Sequence, residues 1–406
     1  MKRFIFVSFL IFAMSSVVGQ QIDTARSKKL IDPALYHEMR AGITNSYIQF
    51  TTKKFGRVAF MGGSITEMVG WREKVCKYLE QRFPETKFEF IAAGISSTGS
   101  KPGAFRLEND VLSKGNIDLF FEEASVNDRV NDPDNLSVYI RGMEGIIRHA
   151  RKANPYIDIV MMYFVDPEKM TDYNNGKIPD EIVNHNKIAE VYQVPSINLA
   201  KEVTDRINAH EFNWRDDFKN LHPSPFGQDI YFRSIKSLLE RGWNNVDAKA
   251  KPEKHALPTQ IDKYSYTNGL YVDISKAIII KNWKVVDCWK PTDSAGTRKQ
   301  YVNCPALIAE QTGAELTFSF KGKAVGICVA AGPDAGVIEY TVDESTVKKL
   351  DLFTKWSSGL HIPWYYVLAD ELPNRKHILR IKISQDRNDK SKGNACRIIH
   401  FLINRP

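Results

Sequence analysis

Val58-Ala59-Phe60-Met61-Gly62-Gly63-Ser64-Ile65-Thr66 joins a short apolar run to a glycine pair and a serine. The run has the length of a buried strand, and the turn after it delivers Ser64 at the strand's carboxyl end, the edge where an α/β sheet presents its chemistry. Outward from this stretch, further apolar runs fall at Phe88–Ala93, Ile117–Phe121, Ile157–Phe164 and Val194–Leu199. Between them Trp71, Val75, Tyr78, Leu79 and Arg82 recur at helical spacing, as do Ile140, Met143, Ile146, Ile147 and Ala150. Five strands with helical crossovers predict a parallel five-stranded sheet in a three-layer α/β domain over residues 57–241.

The pattern changes further along. Residues 242–262 carry Asn-Asn, Lys-Pro and Leu-Pro pairs with little apolar content, which reads as a linker. Beyond it Leu316–Phe320, Val337–Val342 and His377–Ile383 largely alternate apolar and polar side chains, separated by turn signals at Gly332-Pro333-Asp334 and Pro373-Asn374. That period predicts an all-β, antiparallel, jelly-roll-like sandwich over residues 263–406. Residues 20–56 are expected to pack on the α/β domain.

Met1–Gly19 has the form of an export signal, with Lys2 and Arg3 ahead of an apolar core at Phe4–Met14 and small residues before Gln20. The core is too short to span a bilayer, so the expectation is a periplasmic or secreted protein without membrane insertion. The formal charge of +8 comes from 56 basic and 48 acidic side chains interleaved along the chain. A diffuse surplus steers anionic partners only weakly, and the absence of a basic stripe interleaved with aromatics argues against nucleic acid. Cys76, Cys288, Cys304, Cys328 and Cys396 show no metal-type spacing, so no metal or cofactor is expected. One disulfide among the last four and buried free thiols are both open readings.

Far downstream of Ser64, Leu221-His222-Pro223-Ser224-Pro225-Phe226-Gly227 sets a histidine in a loop ahead of a helical stretch. A serine and an imidazole form a nucleophile and base when the fold brings them together, and acyl transfer further needs donors where the oxyanion develops. The backbone amide of Ser64 at a helix start is one such donor, and Asn127, following the strand at Ile117–Phe121, is a second. No GxSxG elbow is present, because Thr66 stands where its last glycine would be. Plainer roles compete: Ser64 and Glu67 fit a capping box, Asn127 suits a turn, and His222 suits an ordinary loop.

Four blocks resemble the SGNH/GDSL hydrolases: Gly62–Thr66, Ala93–Gly99, Ala124-Ser125-Val126-Asn127-Asp128 and the loop around His222. The resemblance covers about half the chain and implies a flavodoxin-like sheet, Ser64 as nucleophile, Asn127 in the oxyanion hole and His222 as base. Two positions depart from the family pattern. Ser97 stands where a glycine normally offers its amide to the oxyanion, with Gly94 as the alternative donor, and Lys219 stands where the family's acid lies, three residues before the histidine. Asp217 or Asp216 is the candidate replacement; a Ser–His dyad is the alternative. Arg106 resembles a recurring arginine of carbohydrate-directed members, which implies substrate contact, and pairing with Glu108 or Asp110 is the competing role. His185 and the remaining histidines read as structural or surface residues.

Trp283, Trp289, Trp356, Trp364, Tyr365 and Tyr366 of the second domain offer either sugar-stacking surface or core, with Trp356–Pro363 the best loop candidate near the catalytic face. The resulting expectation is a secreted, cofactor-free serine esterase acting on an acylated glycan, its oligomeric state open. The alternatives are a degenerate carbohydrate-binding protein of the same fold and a lipase.

Overall fold

The first sheet grows around the Val58–Met61 run. The computed structural model describes residues 30–132 and 135–406, so the export signal expected at Met1–Gly19 lies outside the described residues. Strands β1 (His37–Glu38), β2 (Phe55–Gly62), β3 (Lys87–Gly94), β4 (Leu119–Glu122), β5 (Asp158–Met162) and β6 (Ser196–Ile197) form a six-stranded sheet in the order β1-β6-β5-β4-β2-β3. Neighbours from β3 to β6 run parallel, whereas β1 is antiparallel to β6. The wholly parallel five-stranded sheet is therefore corrected to a mixed, six-stranded one. A two-residue strand carries no readable alternation; it forms because Asp32–Tyr36 and the buried His37, whose Nε2 lies 3.0 Å from Ser234 Oγ, bring the chain to the sheet's edge.

Consecutive strands leave β2 in opposite directions, β3 to one side and β4 to the other. That makes the carboxyl edge between β2 and β4 the switch point of the sheet, where open α/β sheets bind ligands. The ladders bring the strand ends level: Gly62 pairs with Gly94, and Met61 with Glu122.

The rest of the chain builds two further sheets. Strands β7 (Gly269–Val272), β8 (Ala277–Lys281), β9 (Lys284–Trp289), β10 (Gly296–Thr297), β11 (Cys304–Ala309) and β12 (Glu315–Gly322) precede β13 (Ala324–Ala331), β14 (Val337–Val342), β15 (Lys348–Asp351), β16 (Leu360–Ala369), β17 (Arg375–Ile383) and β18 (Cys396–Asn404). One sheet runs β10-β16-β13-β18-β11-β9 with β7 on β18, the other β15-β14-β17-β12-β8. Pairing is antiparallel except between β10 and β16. Phe318 of β12 stacks on Phe401 of β18 with centroids 4.0 Å apart, so the two sheets share an apolar interior.

Strands β12 and β17 alternate buried and exposed residues, as a sheet with one wet face does. Strand β13 is buried along its whole length and β18 nearly so, because their second face packs on the α/β layers. Cys328, Tyr365, Ile399 and Leu402 join the same core as Val58 and Phe60, and residues 32–406 close into one compact unit. Residues 242–262 are anchored along their path. Asn45 Nδ2 donates to Glu253 O at 2.8 Å, Arg151 Nη1 to Ala256 O at 2.8 Å, and Glu144 accepts from the Ile261 and Asp262 amides at 2.6 and 3.0 Å. Arg141 then pairs with Asp262, Asp370 and Glu371, tying helix Leu136–Ala153 to the β part. All five cysteines are free thiols.

Phe401→Ala opens a cavity between the sheets and is expected to lower the unfolding free energy by about 3–5 kcal/mol. Chemical denaturation checks this, and a loss under 1 kcal/mol, on the order of a surface change, would contradict the shared interior.

Candidate active site

Ser64 opens the short helix Ser64–Glu67, with Gly63 at the N-cap. Its hydroxyl oxygen lies 2.8 Å from His222 Nε2, although the two residues are 158 positions apart. The capping box that competed as a role for Ser64 and Glu67 does not form. Glu67 instead accepts from the amide and hydroxyl of Ser96 at 2.8 and 2.5 Å, and from Gln300 Nε2 at 3.1 Å. Burial pushes the Glu67 carboxyl up, but these donors and the Lys299 ammonium outweigh it and hold the group below the ordinary glutamate value.

His222 is presented by a stiff loop. Asn220 Oδ1 accepts its amide at 2.8 Å, Ser224 caps helix Pro225–Trp243 by accepting from the Gly227 amide at 3.3 Å, and Ser224 Oγ donates to Asp217 O. Pro225 at the first helical position suits the cap. Neither candidate acid reaches the imidazole. Asp217 accepts the Asn213 amide at 2.8 Å, Asp216 is exposed with its own amide on Asn213 Oδ1 at 2.5 Å, and Lys219 is exposed. The Asp217 or Asp216 expectation is therefore corrected: the Asp217 carboxylate is turned to the Asn213 amide, and the exposed Asp216 makes no bond to the imidazole.

Asn127 lies in helix Ser125–Asn131, just after β4. Its position next to the Ser64 turn depends on a bare backbone: a Cβ added at Gly63 would stand 2.0 Å from Asn127 Nδ2. The following residue pins the helix. Asp128 accepts the Ser100 amide at 2.7 Å and meets the buried His185 Nε2 at 2.9 Å, so His185 is structural. Of the two alternative donors, Gly94 closes β3, where its missing side chain lets helix Ser64–Glu67 pack at 2.4 Å from the would-be Cβ. Ser97 sits in the turn itself with a φ of +69°, in the left-handed region that glycine favours. The Ser96 and Thr98 amides are used by Glu67 and Ile95 O, while no partner takes the Ser97 amide among the described residues.

Arg106 is 1% exposed and faces inward. Its guanidinium donates to Ala93 O, Gly62 O, Thr98 Oγ1 and Asp110 at 2.7, 3.1, 3.2 and 2.9 Å. The substrate-contact role is therefore corrected: Arg106 ties together the ends of β2 and β3 beneath the site. Trp283 and Trp289 are buried in the β part, whereas Trp356 is 45% exposed. Lys355 Nζ lies 3.5 Å from Val130 O, which sets the Trp356 loop beside the Asn127 helix. The β part also reaches the Ser97 turn, where Arg298 Nη2 donates to Ser97 Oγ at 3.0 Å. Arg298 and Gln300 belong to no motif and lie some two hundred residues from the turn, so sequence reasoning had no signal for them.

Glu122, closing β4, is 1% exposed, with Oε2 unpartnered. Burial first, then the nearby Glu123 and Asp128, pushes its carboxyl well above the ordinary value.

The fold and this site define a Ser–His pair with amide donors at the switch point of an α/β sheet, joined to a β-sandwich layer. Residues 60–230 match the GDSL-like Lipase/Acylhydrolase family model. The whole chain is similar in structure to a two-domain esterase (CEX) active on acetylated mannans, with a TM-score of 0.73, 19% identity, and coverage of 90% of this chain and 97% of that one. The same esterase co-crystallized with mannopentaose gives a TM-score of 0.70 at 19% identity and the same coverage. At this identity the likeness establishes the fold. A search of curated proteins finds no match to the chain. No helix among the described residues is long and apolar enough to cross a membrane.

Because the native chain holds the Glu122 proton at pH values where the unfolded chain releases it, stability falls as pH rises above the ordinary carboxylate range toward the raised native value. Glu122→Gln is expected to raise the melting temperature over the parent's at pH 8, with a gap that narrows toward pH 5. A gap independent of pH would contradict the buried, protonated carboxyl.

Proposed function

We propose that the chain is a secreted serine esterase that removes acetyl groups from a polysaccharide or oligosaccharide by a Ser–His acyl-enzyme mechanism. The observation that carries the reading is the 2.8 Å approach of Ser64 Oγ to His222 Nε2 at the sheet's switch point. His222 takes the hydroxyl proton as Ser64 Oγ attacks the ester carbon, and the oxygen that gains charge is met by the amides of Ser64 and Ser97 and by Asn127 Nδ2. Collapse expels the sugar alkoxide, which takes the proton back from His222. Water, deprotonated by the same imidazole, then attacks the acetyl-serine, and the bond to Ser64 Oγ breaks, Oγ taking the proton from His222 as acetate is released. The chemistry uses no metal or cofactor.

The site is open. His222 is exposed and Ser64 half-buried, whereas a cleft of about 660 Å³ lined by Asn45, Arg57, Asn116 and Asp118 lies at the opposite, amino-terminal edge of the sheet. An open rim suits an acetyl group on a large glycan, and the exposed Trp356 offers a ring on which a sugar could stack. The GDSL-like match over residues 60–230 and a fold shared with an esterase active on acetylated mannans support the same class. Export rests on the Met1–Gly19 pattern.

Ser64→Ala is expected to abolish turnover of p-nitrophenyl acetate, and retention of more than a small fraction of the rate would defeat the mechanism. Asp217→Ala is expected to leave kcat/KM within about threefold, because the Asp217 carboxylate accepts the Asn213 amide and not the imidazole; a loss of the order of 10⁴-fold, as when a triad aspartate is changed, would restore Asp217 to the triad. Gly63→Ala, whose methyl group would displace Asn127 Nδ2, is expected to lower kcat about 10²-fold. Unchanged kcat there would remove Asn127 from the oxyanion hole.

Among the described residues no acid is bonded to His222, which favours a second reading, a glycan-binding protein that has lost catalysis. A fluorophosphonate probe separates the two, since only an activated serine is labelled.

A further inference from the structure

A serine at φ +69° is unusual, because a residue with a Cβ keeps a left-handed conformation only under constraint. Ser97 has that constraint on three sides. Asn131 Nδ2 donates to Ser97 O at 2.9 Å, the Ser96 amide and hydroxyl are held by Glu67, and Arg298 Nη2 donates to Ser97 Oγ at 3.0 Å. Glu67 is itself held by Gln300, so two of the three restraints lead to the segment around β10.

That segment is also held by the β part of the chain. Gly296 and Thr297 pair in parallel with Leu360 and His361, Thr297 Oγ1 donates to His361 O at 2.7 Å, and the Asp293 carboxylate meets His361 Nε2 at 3.0 Å. On the other side of Arg298, the Tyr301 hydroxyl is bonded to that of Tyr365 on β16. The guanidinium therefore approaches the turn from a rigid mount.

We propose that Arg298 is a positioning residue for the hydrolytic site: through Ser97 Oγ, the β part of the chain holds the left-handed turn so that the Ser97 amide faces the developing oxyanion. The proposal rests on the Ser64–His222 reading above. It also accounts for serine where glycine is conformationally easier, since a glycine would offer Arg298 nothing to hold.

Arg298→Ala is expected to lower kcat for p-nitrophenyl acetate about tenfold, part of the effect of losing an oxyanion donor outright, with KM within about twofold. Labelling of Ser64 by a fluorophosphonate should slow by a similar factor, while the melting temperature stays close to the parent's. Arg298→Lys, which keeps a donor, should fall between and serves if the alanine variant folds poorly. The deciding measurement is the same substitution in a Ser97→Gly background, where the turn needs no clamp: there the effect of Arg298→Ala should shrink to about twofold or less. Parent-like kcat in Arg298→Ala, a fall in melting temperature alone, or an equal loss in both backgrounds would overturn the proposal. A parent protein that neither turns over ester nor takes the probe would sink the Ser64–His222 reading and this proposal with it; an active, labelled parent with an indifferent Arg298→Ala would sink only the proposal.

Discussion

Everything at the rim of the sheet depends on the register of three parallel strands. Gly62 stands opposite Gly94 and Met61 opposite Glu122, so the turns bearing Ser64, Ser97 and Asn127 leave the sheet at one level. A slip of one residue in either ladder would turn every side chain of the strand to the other face and separate the groups. The register is guarded by burial of β2 between β3 and β4 and by Arg106, which bonds main-chain oxygens at the ends of both β2 and β3. An arginine with those partners is a strut, and its charge is met by Asp110 one helical turn away.

Close approach is the second requirement. Gly63 is bare where Asn127 Nδ2 comes in, and Gly94 is bare where the helix of Ser64 crosses β3. That arrangement leaves the donors little freedom to relax, which is what stabilising a developing charge requires.

The strands that carry this geometry were legible because each is a short apolar run set between helical periods, and Ser64, Asn127 and His222 each follow a recognisable turn. Strands β12 and β17 were legible for a different reason, their alternation of wet and dry faces. Strands β13 and β18 were not, since Ala324–Ala331 and Cys396–Asn404 are covered on both sides and lose the period of two. Their second face is buried against the α/β layers, a fact of tertiary packing that no local pattern records. The same packing hid Arg298, and the course of the loop between Asn213 and His222 decided where Asp216 and Asp217 point. Composition placed carboxylates near the histidine in sequence; hydrogen bonding to Asn213 placed one of them elsewhere, and exposure the other.

An imidazole without a carboxylate partner can still serve as base, with less help in orienting the ring and in stabilising its protonated form. On this account more of the catalytic effect falls on the donors around the oxyanion. The most direct measurement is therefore a crystal structure of the protein after reaction with a phosphonate ester. The account expects phosphorus bonded to Ser64 Oγ and its oxygen about 2.7–3.1 Å from the Ser64 and Ser97 amides and Asn127 Nδ2. An adduct at another residue, or an oxygen turned away from Asn127 and the Ser97 turn, would contradict it.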